Sequence, residues 1–234
     1  MTNDEGRSRS SFVIRISSFA AMQRSFLSRA WYHILQRVLQ LVAVVMYRVR
    51  YSGRQNIPAE GGVLVVSNHQ SHLDPPLVGI GIPRRINYLA RDTLFAFAPF
   101  GWLIQSVGSI PIDREGIGLG GIKESLRRLK RGEMVLIFPE GTRTRDGQIA
   151  PFRPGFTALA VRSKAAILPV AIEGAFQVWP RWRKWPGAGQ IRVHFGVPFT
   201  PAEVAGRDER ELLAEVERRV RECQAEIRRR RQPS

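Results

Sequence analysis

The chain has 234 residues, 44% of them apolar, with 36 Lys and Arg against 20 Asp and Glu, a net charge of +16. That length fits one domain with terminal appendages, and a single cysteine, Cys223, excludes an internal disulfide framework and a multi-cysteine zinc site. The charge asks for a polyanionic partner, an anionic membrane surface or nucleic acid, without choosing between them.

Residues 1–30 are rich in Ser and Arg and lack an apolar stretch with a small-residue cleavage site, so they read as a flexible segment and not as a secretory signal. The strongest apolar run, 38–47, reads VLQLVAVVMY. A membrane span needs about 20 apolar residues, and this run has Arg37 before it, Gln40 inside it and Arg48 after it. Residues 31–50 therefore read as a helix lying in a membrane interface, with Trp31 and Tyr32 at headgroup depth and Arg37, Arg48 and Arg50 towards phosphates. A helix packed on the domain fits the same pattern.

From residue 51 short β-rich runs alternate with helical ones. Strands are expected at 63–67, 86–90, 108–112, 134–138, 167–172 and 190–195, and helices at 75–80, 119–131 and 155–164. Several strands are nearly continuous apolar runs, as in sheets covered on both faces. The pattern predicts an α/β layered domain over 51–205, with a mixed, largely parallel sheet flanked by helices. Residues 206–234 form a basic amphipathic helix in which Leu212, Val216, Val220, Cys223 and Ile227 make one apolar stripe. That helix suits docking onto the domain, with its arginines solvated, or a basic membrane-facing surface.

Two of the four histidines stand in one stretch, SNHQSHLDPP at 67–76, directly after an apolar strand. Strand carboxyl ends are where reacting groups collect in open α/β folds. Asp74 before two prolines looks like a helix N-cap, and it is also placed to hold His69, five residues earlier. A carboxylate bonded to one imidazole nitrogen fixes the tautomer and leaves the other to take a proton. The alternative of His69, His72 and Asp74 as metal ligands lacks a neighbouring His or Cys to complete a site. No G-x-S-x-G nucleophile elbow occurs, so the base must activate a hydroxyl of the substrate itself.

Further along, FPEGTRTRDG at 138–147 places two arginines in a strand-end loop, a composition that suits a phosphate. GSIPIDR at 108–114 sets Arg114 at another strand end. AFQVWPRWRKWP at 175–186 holds three of the five tryptophans among Arg181, Arg183 and Lys184; it reads as a second membrane contact, or as tryptophans packed on the domain under stacked arginines.

Four blocks together resemble the bacterial lysophosphatidic acid acyltransferase family, the glycerolipid acyltransferases with an HX4D motif: NHQSHLD at 68–74, GSIPIDR at 108–114, FPEGTR at 138–143 and ILPVAIEG at 167–174. The resemblance covers about residues 51–200, with order and spacing kept; Pro111 stands where that family often has an aromatic residue. It implies that His69 is the general base and Asp74 its orienting partner. Arg114 and Arg143 would hold the acceptor phosphate, Glu140, Gly141 and Thr142 would shape that site, and Pro169 would shape the acyl-donor side. Oxyanion donors are expected among backbone N–H groups near the 68–74 turn. The resemblance further implies transfer from acyl-CoA or acyl-acyl carrier protein to 1-acylglycerol 3-phosphate or another lyso-lipid, without a metal or cofactor. The expected location is the cytoplasmic face of the inner membrane, with an anionic membrane surface as partner and no nucleic acid. A non-enzymatic basic membrane- or nucleic-acid-binding protein remains the alternative from another class.

Overall fold

The structure is a computed structural model that describes residues 26–91, 110–112 and 119–230. Helix α1 (Phe26–Tyr47) leads into strand β1 (Arg50–Ser52), a short 3-10 turn and β2 (Val63–Ser67). Helix α2 (Asp74–Gly81) and strands β3 (Ile86–Arg91) and β4 (Ile110–Ile112) follow, then α3 (Leu119–Lys130), β5 (Met134–Ile137) and α4 (Phe156–Ser163). The chain continues through β6 (Ala166–Glu173), the single turn α5 (Ala175–Val178), β7 (Arg192–Phe195), α6 (Pro201–Ala205) and α7 (Glu209–Arg229).

The strands form one seven-stranded sheet in the order β1-β7-β6-β2-β5-β3-β4. Strands β6, β2, β5, β3 and β4 run parallel, β7 is antiparallel to β6, and β1 is parallel to β7. The central strands are apolar throughout because both faces are covered: every residue of β2, β5 and β6 is buried. Val63, Val65, Leu136, Leu168 and Val170 pack with α2 residues Leu77 and Val78 on one face. Leu64, Val66, Ile137 and Ile167 pack with Phe156 and Leu159 of α4 and Leu212, Val216 and Val220 of α7 on the other.

The terminal helices resolve two open expectations. The apolar stripe of α7 is buried against the sheet, so this is a docking helix. Its outer arginines are largely paired along the helix, Arg218 with Glu215 and Glu222, Arg221 with Glu217, and Arg229 and Arg230 with Glu226. Helix α1 packs on the domain through a mixed face, with Ala43 and Tyr47 buried in the core and Leu39 against it, beside two glutamines. Gln36 donates to the carbonyls of Gly79 (3.1 Å) and Ile82 (2.8 Å), and Gln40 to that of Ile80 (2.5 Å). These carbonyls lie at the carboxyl end of α2, where helical partners run out; that of Gly79 also accepts Ile82 N–H (3.3 Å). The opposite side carries Ile34, Val38, Leu41 and Val45, each 53–70% exposed. Its basic residue Arg37 hydrogen-bonds Gln40 in the same helix.

Several boundaries differ from expectation. The first strand begins at Arg50, so the folded domain starts one residue before the expected boundary at 51; three residues of ordinary composition give no β signal. The helix of the expected 31–50 segment already runs from Phe26 and ends at Tyr47, and the carboxyl-terminal one starts at Glu209, capped by Asp208. Helix α6, begun by the capping box of Thr200 and Glu203, was not expected. Residues 1–25 of the expected flexible segment lie outside the described residues.

Candidate active site

Loops from the carboxyl ends of β2, β5 and β6, three neighbouring parallel strands, converge at one edge of the sheet. The β2 loop is fixed first by Asn68, fully buried, whose amide donates to the Ile172 carbonyl (2.9 Å) and accepts from the Ile172 N–H (2.7 Å). A side chain thus continues the β2–β6 ladder by one more pair, and the next residue, His69, is presented at the edge.

The His69 imidazole stacks on the Phe138 ring with centroids 4.0 Å apart, and its Nδ1 lies 2.8 Å from Asp74 Oδ2. Asp74 is wholly buried while the His69 side chain keeps 19% exposure, so the pair points one group inward and one outward. The same carboxylate oxygen accepts the N–H groups of Gln70 (2.5 Å) and Ser71 (2.6 Å). Those donors fix the orientation of the carboxylate; with Nδ1–H donating to it, Nε2 is the nitrogen open to a substrate proton.

Of the two readings of Asp74, the contact with His69 is present and the N-cap is not. Asp74 is the first residue of α2 and makes no cap hydrogen bond; its carboxylate turns back into the preceding loop, where three donors converge. His72 separates from His69. It is exposed, leans on Trp179 with centroids 5.0 Å apart, and hydrogen-bonds Arg143. Burial and the Arg143 charge lower its pKa from 6.5, so the neutral ring accepts from the guanidinium. Among the described residues no group of three His, Cys, Asp or Glu side chains stands close enough to hold a metal.

The β5 loop closes over this turn. Thr144 N–H donates to the His69 carbonyl (2.8 Å), and the residue before it, Arg143, hydrogen-bonds His72. Gly141 has φ +72°, and a Cβ there would meet the Arg153 guanidinium at 2.9 Å, so the tight turn requires glycine. Gly141 and Thr142 are exposed and Arg143 is half-buried.

Three expectations need correction. Glu140 is buried and does not face the mouth: its two oxygens accept His69 N–H (2.7 Å) and Ala150 N–H (2.9 Å). It clips the β2 loop to the β5 loop, and burial raises its pKa to about 7. Pro169 lies mid-strand in β6, opposite Val66, and lines a cavity of about 320 Å³ with Gly196, Val197 and Cys223 beneath α7. That is the sheet face away from α2 and the His69–Asp74 pair, because alternate strand residues point to opposite faces. The amides of the turn are also taken, His69 by Glu140, Gln70 and Ser71 by Asp74, and Leu73 by Ser71 Oγ, so these four do not supply an oxyanion donor. Arg114 lies outside the described residues.

Sequence reasoning passed over Asn68, Phe138, Gln70 and Ser71, each of which builds the site. Gln70 joins the Gly147 carbonyl and the Phe176 N–H, and Ser71 Oγ donates to the Trp179 carbonyl (2.7 Å). These three partners are 77 or more residues away in the chain, so spacing alone carries no trace of them; the available signal was a cluster of small polar residues directly after an apolar strand.

The profile of the acyltransferase family matches residues 48–173. The chain is 35% identical to a 1-acyl-sn-glycerol-3-phosphate acyltransferase of Pseudomonas aeruginosa, over 92% of this chain and 83% of that one. It is 30% identical to the protein of the same description from Bacillus subtilis, over 78% and 89%. The crystal structure of the 1-acyl-sn-glycerophosphate acyltransferase of Thermotoga maritima has the same fold, with a TM-score of 0.76 at 24% identity over 93% of this chain and 88% of that chain.

Proposed function

The chain belongs to the acyltransferase family, and we propose that it moves a fatty acyl group from a thioester to the free hydroxyl of 1-acylglycerol 3-phosphate, giving phosphatidate. The observation that carries the chemistry is the His69 imidazole held by a buried, three-fold hydrogen-bonded Asp74. The acceptor hydroxyl gives its proton to His69 Nε2 as its oxygen attacks the thioester carbonyl. The tetrahedral intermediate then collapses, the carbon–sulfur bond breaks, and the imidazolium returns the proton to the departing thiolate. Asp74 stabilises the imidazolium in between, as in other carboxylate–imidazole pairs.

Arg143, hydrogen-bonded to His72 and one residue before the Thr144 that bonds the His69 carbonyl, takes the acceptor phosphate as a planar fork of donors; Gly141 and Thr142 are its neighbours in the loop, and Arg114 of the second motif is its expected companion. Acyl-CoA or acyl-acyl carrier protein is the donor, and no further cofactor is required. The test is a thiol-release assay with each donor and a panel of lyso-lipids, with products identified by mass spectrometry. Phosphatidate formed from lysophosphatidate is the expected outcome. Faster acylation of a phosphate-free acceptor would reassign the substrate and the role of Arg143.

We further propose peripheral attachment to a membrane on the cytoplasmic side, supported by the exposed apolar strip of α1. Among the described residues no helix is long and apolar enough to cross a bilayer, so α1 lies along the interface.

A further inference from the structure

The 175–186 segment takes no part in the chemistry above, yet it is built onto the catalytic turn. Helix α5 leaves β6 through Gly174, at φ +92°, where a Cβ would come within 2.1 Å of the Gln190 carbonyl oxygen. The loop then closes on itself. Trp179 Nε1 donates to the Arg183 carbonyl (2.9 Å), and the Arg183 guanidinium donates to the carbonyls of Gln177 (3.3 Å) and Val178 (3.4 Å). Gly187 N–H donates to the Val178 carbonyl (2.8 Å).

The two sides of this closed loop are unlike. On the inner side Trp179 packs on the core, receives Ser71 Oγ at its carbonyl and meets the His72 ring. On the outer side Trp182 and Trp185 are 60% and 79% exposed, among the exposed Arg181, Arg183 and Lys184. Between Gly174 and Ile191 the chain carries three cations and no carboxylate. A loop held by its own hydrogen bonds thus keeps two indoles out of the core inside a cationic fringe. Large exposed apolar groups of this kind mark a contact surface, and indoles beside Arg and Lys match a layer that is apolar below and anionic above.

The position agrees. Ile191 N–H donates to the Tyr47 carbonyl and Arg50 N–H to that of Ile191, so the loop's return is tied to the end of α1, where Val45 and Met46 are exposed. The loop itself meets the 71–72 part of the turn through Trp179. We propose that the 179–186 loop is a second contact with an anionic bilayer surface, which seats the catalytic turn against the layer that holds the acceptor. This rests on the reading of a lyso-lipid acceptor.

The full chain is compared with Trp182→Ala/Trp185→Ala and with Arg181→Gln/Lys184→Gln. Sedimentation is measured with vesicles of phosphatidylcholine alone and with added phosphatidylglycerol. Transfer is measured to long-chain lysophosphatidate in those vesicles and to a short-chain lysophosphatidate dispersed in water. The tryptophan pair is expected to weaken binding to both vesicle types, by about ten-fold or more on the anionic one. The basic pair is expected to weaken only the anionic case, and salt should erase that difference. Transfer in vesicles falls with binding, while transfer to the dispersed acceptor is unchanged. Wild-type binding by both variants, or loss of self-association in their place, overturns the proposal, as does an equal fall with the dispersed acceptor. If the unaltered chain acylates neither acceptor, the activity reading fails, and the sedimentation arm still decides the loop.

Discussion

The 68–74 turn and the surface made by α1 with the 179–186 loop depart from ordinary globular pattern in opposite directions. In the turn, polar groups are buried: Asn68, Gln70, Ser71 and Asp74 are each at most 2% exposed. Their hydrogen bonds run to backbone and to one another. At the surface, apolar groups are exposed, while the glutamines of α1 face inward. Burying polar groups is tolerable only with partners in place, and exposing Leu41, Val45 and Trp185 together weakens solubility unless something covers them. The first departure builds a rigid catalytic geometry and the second offers a place to meet a lipid. Each region predicts a different failure when altered: substitutions in the turn should reduce turnover on every acceptor, and substitutions at the surface should reduce only turnover at a bilayer.

The largest effect is expected at His69. His69→Ala should lower transfer by about 10³–10⁴-fold with the melting temperature kept, since a general base contributes up to about 10⁴. Asp74→Asn should cost as much or somewhat less, because an amide oxygen can still accept the donors that converge on Oδ2 but carries no charge to stabilise the imidazolium. Equal rates for dispersed and vesicle acceptors in these variants would place the defect in the turn. A defect seen only with vesicles would collapse the distinction between the regions.

At the border of the turn, Arg143→Lys should raise the lysophosphatidate KM by roughly ten-fold or more and leave the thioester KM alone. A hydrogen bond to a charged group contributes about 1.5–3 kcal/mol, and lysine cannot reproduce the fork. Separate saturation curves for donor and acceptor decide this, and a rise confined to the donor KM would remove Arg143 from the phosphate.

Glu140 tests whether the turn is braced from below. Glu140→Gln should destabilise the fold by about 2 kcal/mol near neutral pH, because one of two N–H donors then faces an NH₂ group. Burial raises the folded-state pKa to about 7 from an ordinary 4.5. The stability tied to the neutral acid is therefore complete below 4.5 and is lost as pH rises through about 7. Thermal melts from about pH 5 to about pH 8 should show the wild-type advantage over the glutamine variant shrinking. An advantage that grew with pH would mean that the two amides hold Glu140 ionised. The smallest effect belongs to His72: His72→Ala should keep most of kcat and raise the acceptor KM a few-fold, as Arg143 loses the ring that orients it.

Much of the layered fold was legible because the sheet is covered on both faces. Runs such as VLVVS at 63–67 and AILPVAIE at 166–173 cannot be read as anything but buried. The His69–Asp74 contact was legible because the two residues are local, five positions apart. What was not legible depends on partners distant in sequence. Glu140 in FPEG looks like a loop carboxylate until His69 N–H arrives from 71 residues away. Pro169 shares a motif-like block with residues of the site edge, yet strand alternation turns it to the other face. The direction of α1 was hidden for a different reason. Gln36 and Gln40 are polar and therefore look like an outer face, and only the carbonyls at the carboxyl end of α2 reverse that assignment. The three-residue β1 is too short for any period to declare itself.

The central claim is that His69, oriented by buried Asp74, takes the proton from a lysophosphatidate hydroxyl during direct acyl transfer. Its most direct test follows a radiolabelled acyl group from thioester into phosphatidate under single-turnover conditions, with the full wild-type chain and with His69→Ala of verified fold. The wild type should form phosphatidate in step with free thiol and show no labelled protein at any time. The variant should form both at least about 10³-fold more slowly. Labelled protein that precedes phosphatidate, or a variant within ten-fold of wild type, would contradict the account.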